Sequence, residues 1–522
     1  MGNKYQKSLS VAIMVYILFF SAYSVLMHHS YLTSAYDLGI FMQSLWTTAY
    51  GYGFLFNTPE WEDLGVYSHF GVHNSPILLL LVPIYRGLPY AETLLLLQTI
   101  ILGLGALAIF KFARLLVGDR EAFYISLIYL ANPLIHGINR FDFHPVSLVV
   151  PLIFLIPYYY EQNEYLKMIL VSLLVLTAKE DSGLILISLG GFFIVKKYGL
   201  RRALNPVWLL KNHKDIFVEI SLVFLGLIWI LLSLFIVIPH YNGGMYPYID
   251  PSRVQRYSMS ISDFHVDYVL VFFSITIISL AFIPLLNLSY FMTSLPLWLE
   301  LILPSKTVYM VRVGYQYPYM LVPFLIIITV YAVQSRTKNN LLRILNKDIN
   351  IKALLGFAVI SMVLFSPAMH VVESKYIAGV PVYTLGGVYT KWSSYFWVLN
   401  NVTLTISTSS CSIATQNSIF PHIANRYNVY CLRTFFNASY LPNNSIVLLA
   451  SSLPDYQFTI KSLQNSTLTA NKTYFILNVN DIILKCYNQT GDNTKQFNEC
   501  ITNYTEAIIQ KCEWAMSHAG KR

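Results

Sequence analysis

Apolar runs of helical length follow one another along this chain, near 9–29, 92–117, 121–137, 146–160, 166–179, 183–197, 216–239, 266–286, 290–304, 318–335 and 353–370. A chain patterned this way has a bilayer as its solvent, because a helix needs about 20 apolar residues to cross a hydrocarbon core of about 30 Å. Composition agrees. Only 12% of the 522 residues are charged, half of the roughly 25% found in soluble domains, and mean hydropathy is +0.53. The formal charge of +9 does not indicate nucleic acid. Its lysines and arginines mostly sit in short loops between apolar runs, where topology signals belong. Many of the aromatic residues lie at the ends of those runs, as interfacial belts do. No small-residue cleavage site follows the first run, so it reads as a retained helix and not as a signal peptide.

Loop charge gives an orientation. With the N-terminus in the cytoplasm, Lys4 and Lys7 lie inside, followed by Lys111, Arg114 and Arg120, then Lys167, then Lys196, Lys197, Arg201, Arg202, Lys211 and Lys214. The last inside loop holds Arg336, Lys338, Arg343, Lys347 and Lys352. This is the positive-inside pattern, and about eleven spans then place residues 371–522 outside. The expected architecture is a membrane all-α polytopic body over 1–370, with a large outer loop at 30–91, followed by an extracytoplasmic α/β domain over 371–522. Short apolar stretches at 445–450 and 474–479 read as strands of that domain.

Two further features mark the C-terminal segment. All five cysteines, Cys411, Cys431, Cys486, Cys500 and Cys512, lie after residue 400, which suits an oxidising compartment. Pairing of Cys411 with Cys431, and of two among Cys486, Cys500 and Cys512, is expected, with one thiol left over. Asn401, Asn437, Asn443, Asn465, Asn471, Asn488 and Asn503 each begin an Asn-x-Ser/Thr triplet and are candidate glycosylation sites. Asn287 begins one more, in a turn expected to face inward.

Ionisable residues near membrane depth are costly and are functional candidates by default. In this chain they gather in loops that the topology places outside. Asp37 follows the first run, His69 and His73 lie further along that loop, Asp142 and His144 stand in Phe141-Asp142-Phe143-His144-Pro145, and Lys179, Glu180 and Asp181 are consecutive. Arg312, Tyr315 and Gln316 occupy a later loop, and Arg253 and Arg256 run against the positive-inside trend. Each has a plainer reading: Asp37 as a helix cap, the His69/His73 pair as interfacial packing on one helix face, the 142–144 turn as a cap, the 179–181 triplet as a solvated turn, and Arg312 as a contact to lipid phosphate. The ligand types of His69, His73, Asp142 and His144 suit a divalent metal ion, although no spacing among them is diagnostic.

These segments resemble the prokaryotic membrane family known as domain of unknown function 2079. The resemblance rests on Tyr36-Asp37-Leu38-Gly39-Ile40-Phe41 with Gln43 and Trp46, His69-Phe70, His73, Ser75-Pro76 and Pro83-Ile84-Tyr85. It continues through the 141–145 and 179–181 segments, Ile413-Ala414-Thr415-Gln416-Asn417, Pro421-His422-Ile423-Ala424-Asn425-Arg426 and Val429-Tyr430. Met42 departs from it, standing where an acidic or polar residue belongs, and the last hundred residues lie beyond it. The family is similar in layout to the GT-C glycosyltransferases: a first helix, then an outer loop with a catalytic acid, then an interfacial helix, a place that 76–88 would fill here. That likeness implies transfer of a sugar from a polyprenyl-phosphate donor to an acceptor on the outer face, with a surface glycoprotein as the candidate acceptor. Asp37, Asp142, Lys179 and Glu180 are then catalytic candidates, and His69, His73, His144, Arg253, Arg256, Arg312, Tyr315 and Gln316 substrate-binding ones. The rival is a non-catalytic membrane anchor or assembly factor for surface glycoproteins. A transporter fits less well, since no internal repeat or midplane charge pattern is evident.

Overall fold

The computed structural model describes residues 2–244, 265–303, 308–338, 341–344, 347–349, 351–367, 375–377, 380–382, 394–432, 441–451, 453, 455–457, 459, 474–490 and 494–518. The chain divides into two compact units. The first comprises Met1–Ser24, His73–Leu78 and Leu94–Leu385, and the second Val25–Val72, Leu79–Thr93 and Gly386–Arg522.

Helices dominate the first unit. Among the described residues, four helical segments of the chain are long and apolar enough to cross a membrane: Lys4–His29, Ala91–Val117, Phe217–Asn242 and Tyr317–Ser335. Shorter apolar helices include Pro145–Glu161, Tyr165–Leu176, Val266–Ser279, Leu288–Ile302 and Ile351–Phe365. At about 1.5 Å per residue these fall short of the hydrocarbon thickness. Helix lengths therefore establish four candidate spans, and the expected count of eleven is finer than they reach. Local chemistry explains where the runs break. The run near 121–137 splits into Asp119–Leu130 and Pro133–Arg140, because the Asn132 side chain accepts from the N–H of Leu134 and starts a new helix with proline in its first turn. The run near 266–286 stops at Ser279, where Ala281 and Phe282 take left-handed φ values of 51° and 60°.

Missing side chains bring two helices together. Gly183–Tyr198 packs along Phe217–Leu232 so closely that a Cβ on Gly226 would lie 2.3 Å from the Gly183 carbonyl oxygen, and one on Gly190 would lie 2.6 Å from the Glu219 carbonyl oxygen. Contact of this kind drives helix association where no hydrophobic force operates. The far side of Phe217–Leu232 shows Phe224, Leu227, Ile228 and Leu231 outward, a face suited to lipid. At the C-terminal end of Gly183–Tyr198, Lys196 pairs with Glu161 and Lys197 reaches Glu219 at 3.5 Å, while Tyr331 and Tyr160 donate to those two carboxylates. Buried charge there is compensated, as burial demands.

A parallel sheet organises the second unit. Its strands are β1 Ile413–Gln416, β2 Val429–Leu432, β3 Ser445–Leu449 and β4 Tyr474–Asn478, in spatial order β2-β1-β3-β4. Ile413 stands opposite Val429 on one side and Ile446 on the other. The first three strands are buried at every position, the pattern of a sheet covered on both faces. Expected strands at 445–450 and 474–479 correspond to β3 and β4. Ala414, Tyr430, Leu432, Val447 and Leu449 form a core, and Trp61, from the loop expected at 30–91, packs against it. Further bonds tie that loop into the same unit: Gln43 donates to the Arg426 carbonyl at 2.9 Å, and Tyr85 donates to Asn425 at 2.7 Å.

The disulfides correct one expectation. Cys411 bridges Cys512, and Cys486 bridges Cys500. Cys431 is buried and takes part in neither bridge, so the expected Cys411–Cys431 pair is absent. The register gives the reason. Cys431 stands opposite Thr415 within the sheet, whereas Cys411 precedes β1, so the two are offset along the strands. The other bridge lies within the expected trio.

Candidate functional site

Asp37 belongs to the second unit. It lies in a single π-helical turn, Ala35–Gly39, that runs directly into the helix Ile40–Tyr50. Such turns are rare and recur at functional sites. Asp37 is half-buried and does not cap the helix, since the Ser34 hydroxyl accepts from the Tyr36 N–H at 3.2 Å and fills the cap position. The Ser34 carbonyl also accepts from Asp37 and Gly39 N–H groups at 3.4 and 3.0 Å. The turn is held from outside by Asn417, whose carbonyl accepts from the Ala35 N–H at 3.0 Å.

His69 and His73 do not share a helix face. His69 opens the short 3₁₀ turn His69–Gly71 of the second unit, and its Nδ1 meets Glu60 Oε1 at 2.8 Å, both side chains buried. His73 belongs to the first unit and meets Glu180 instead, Nδ1 to Oε1 at 2.8 Å, although 107 residues separate them. Glu180 is buried and also accepts from the Asn74 N–H at 3.2 Å. Burial pushes its pKa up. The charges of His73 and Lys179, with hydrogen bonds from His73 and the backbone, outweigh that and hold the carboxyl down at about 2. Next to it, Lys179 Nζ meets Asp181 Oδ2 at 2.6 Å, and the Tyr319 hydroxyl donates to Asp181 Oδ1 at 2.6 Å. Glu300 stands close to Asp181 in the same cluster. The 179–181 triplet is thus a knitted polar cluster of the first unit, not a solvated turn.

Asp142 and His144 lie in the same unit. Gln98, fully buried, fixes their turn: its Oε1 accepts from the His144 N–H at 2.9 Å, and its Nε2 donates to the Asp142 carbonyl. Asp142 takes a left-handed φ of 42°. His144 Nδ1 lies 3.1 Å from the Phe141 carbonyl, and its side chain makes no cap bond to the following turn. Phe141 packs on Tyr315, with ring centres 4.4 Å apart, and Arg312 lies over the rings of Tyr268 and Tyr309 at 5.1 and 5.3 Å. Cation–aromatic contacts of this kind orient a guanidinium by the electrostatic pull of the ring faces. Gln316 lies in this same loop. Residues 309–319 therefore join two expected site segments, meeting the 141–144 turn through Tyr315 and the 179–181 cluster through Tyr319.

Among the described residues, no three His, Cys, Asp or Glu side chains are grouped to hold a metal ion. Arg253, Arg256, Asn437, Asn465 and Asn471 lie outside the described residues. Asn401, Asn488 and Asn503 sit within the helices Ser394–Ser407, Val479–Thr490 and Thr494–His518, and Asn443 in the turn before β3. Asn287 caps the short helix Leu288–Phe291.

Sequence reasoning passed over Glu60, Gln98, Glu300, Tyr319 and Asn417 as site residues. Asn417 left a trace inside the Ile413–Asn417 segment of the resemblance, and Tyr319 one in the run Tyr315-Gln316-Tyr317-Pro318-Tyr319 that follows Arg312. The family model described as a predicted membrane protein, domain of unknown function 2079, matches residues 27–478. The chain belongs to this family. Its matched stretch holds the Asp37 turn, the His73–Glu180 pair, the 141–144 turn, Arg312 and the whole parallel sheet. The helices Val479–Thr490 and Thr494–His518 lie beyond it. No curated protein matches the chain.

Proposed function

We propose that this member of the family transfers a sugar from a polyprenyl-phosphate donor to an acceptor hydroxyl on the outer face of the membrane, with Asp37 as the general base. The N-terminus is then cytoplasmic and the parallel-sheet domain external, as loop charge, cysteines and sequons argue. The observation that carries the reading is the cap. Ser34 supplies the cap bond that would otherwise have explained an aspartate at the head of this helix, and Asp37 is held half-buried in a π turn instead.

In the reaction, the acceptor oxygen forms a bond to the anomeric carbon while the bond from that carbon to the phosphate oxygen breaks. The electron pair leaves with the lipid phosphate, and Asp37 takes the hydroxyl proton. A departing phosphate calls for positive charge in the site. Membranes containing the protein, supplied with a panel of polyprenyl-phosphate sugars and a surface-glycoprotein acceptor, should label the acceptor. No transfer with any donor would favour a non-catalytic anchor or assembly factor.

A further inference from the structure

The strand order β2-β1-β3-β4 reverses direction between β1 and β3. In open parallel sheets, ligands bind outside the carboxyl ends of the strands at such a reversal. Here those ends are Gln416 of β1 and Leu449 of β3, with Ala450 following. Gln416 is fully buried and bridges the gap: its Oε1 accepts from the Ala450 N–H and its Nε2 donates to Asp455 at 2.9 Å. Asp455 also receives the N–H and hydroxyl of Ser418, each at 2.9 Å. Gln416 and Ser418 are thus both fixed, and Asn417 is the residue between them.

Asn417 grips the chain's own turn. Its carbonyl and its Oδ1 lie 3.0 and 3.1 Å from the Ala35 nitrogen, and its Oδ1 accepts the Ser34 hydroxyl at 3.2 Å. Three residues on, Phe420 closes against the other end of that turn, so that a Cβ on Gly39 would lie 2.7 Å from its ring. Asp37 stands between the two grips. We infer that the sheet uses its binding crevice to hold the Asp37 turn and that Asn417 is a positioning residue for Asp37. Asp455 holds the two residues that flank Asn417. The catalytic part of this inference rests on the reading of Asp37 as the base; the clamp itself does not.

Amide hydrogen exchange of the full-length protein in nanodiscs, read by mass spectrometry, tests the clamp without any donor. Asn417→Leu removes the accepting side-chain oxygen and should speed exchange in the 34–40 peptide roughly tenfold, the scale of one or two lost hydrogen bonds. Peptides covering 9–27 and 445–449 should keep their wild-type rates. Asn417→Asp keeps an oxygen in place and should restore protection of 34–40. Where transfer is measured, its acidic limb should move to higher pH in Asn417→Asp, because a carboxylate added against the turn that carries Asp37 disfavours its ionised form. Unchanged exchange of 34–40 in Asn417→Leu overturns the inference. If that variant also loses protection at 445–449, Gly39→Val replaces it, pressing on Phe420 from the side of the turn. Faster exchange at 34–40 alone then supports the clamp, and unchanged exchange overturns it. Absence of transfer by the native protein would contradict the functional reading and leave the exchange result standing.

Discussion

Glu180 accepts a hydrogen bond from His73 across 107 residues of sequence, at 2.8 Å and with the carboxylate buried. A carboxyl whose pKa is depressed on folding contributes stability above its unfolded value, about 4.3, and loses that contribution as pH falls toward the folded value of about 2. Glu180→Gln keeps the shape and removes the charge. Thermal unfolding of the two proteins, followed from pH 7 to 2.5, should show the wild type more stable at neutral pH by roughly 1–3 kcal/mol. The gap should narrow as pH falls below about 4. A gap that widens on acidification would contradict the assignment.

The two disulfides should contribute unequally. In the chain-entropy account, closing a loop of about 100 residues stabilises by roughly 4.7 kcal/mol and one of about 15 residues by roughly 3 kcal/mol. The bridged residues here are 101 and 14 apart. Cys411→Ser/Cys512→Ser should therefore lower the unfolding midpoint of the second unit further than Cys486→Ser/Cys500→Ser. Non-reducing peptide mapping of the native protein should recover Cys431 in neither bridged peptide.

Gly226 and Gly191 offer a matched pair. A Cβ on Gly226 would meet backbone at 2.3 Å, whereas one on Gly191 would meet nothing within 4 Å. Gly226→Ala should destabilise the first unit by roughly 1–3 kcal/mol through forced separation of the two helices. Gly191→Ala should be neutral, or stabilising by up to about 1 kcal/mol, because alanine is the better helix former. Equal effects in a thermal-shift measurement would mean that close approach at Gly226 does not set the packing.

Much of the helical body is legible in the sequence because apolar runs and helix breakers are local signals. Asn132-Pro133 splits a run as its chemistry requires, yet a hydropathy window spans it without noticing. The residue types of the first unit's site are legible as well, since His73 and Glu180 each stand out as ionisable residues near membrane depth. Their pairing is not, because nothing local links a loop histidine to a carboxylate 107 positions away. Asp37 shows a different limit. Ser34 and Asp37 are both good cap residues, and only the backbone decides which one caps. The Cys411–Cys431 pairing fails for a related reason: proximity in sequence says nothing about an offset along parallel strands. Asn417 reads as one more polar residue until the sheet order places it at the reversal.

Asp37 itself carries the central claim, and paired substitutions measured for sugar transfer test it most directly. Asp37→Asn keeps the shape and an oxygen acceptor but cannot take a proton. Assayed in membranes with a polyprenyl-phosphate sugar and a surface-glycoprotein acceptor, it should insert normally and lose transfer by at least about a hundredfold, the usual scale for removing a general base. Asp37→Ala should lose as much. Undiminished transfer by Asp37→Asn, or loss confined to the alanine variant, would contradict the account and leave Asp37 a structural residue of its turn.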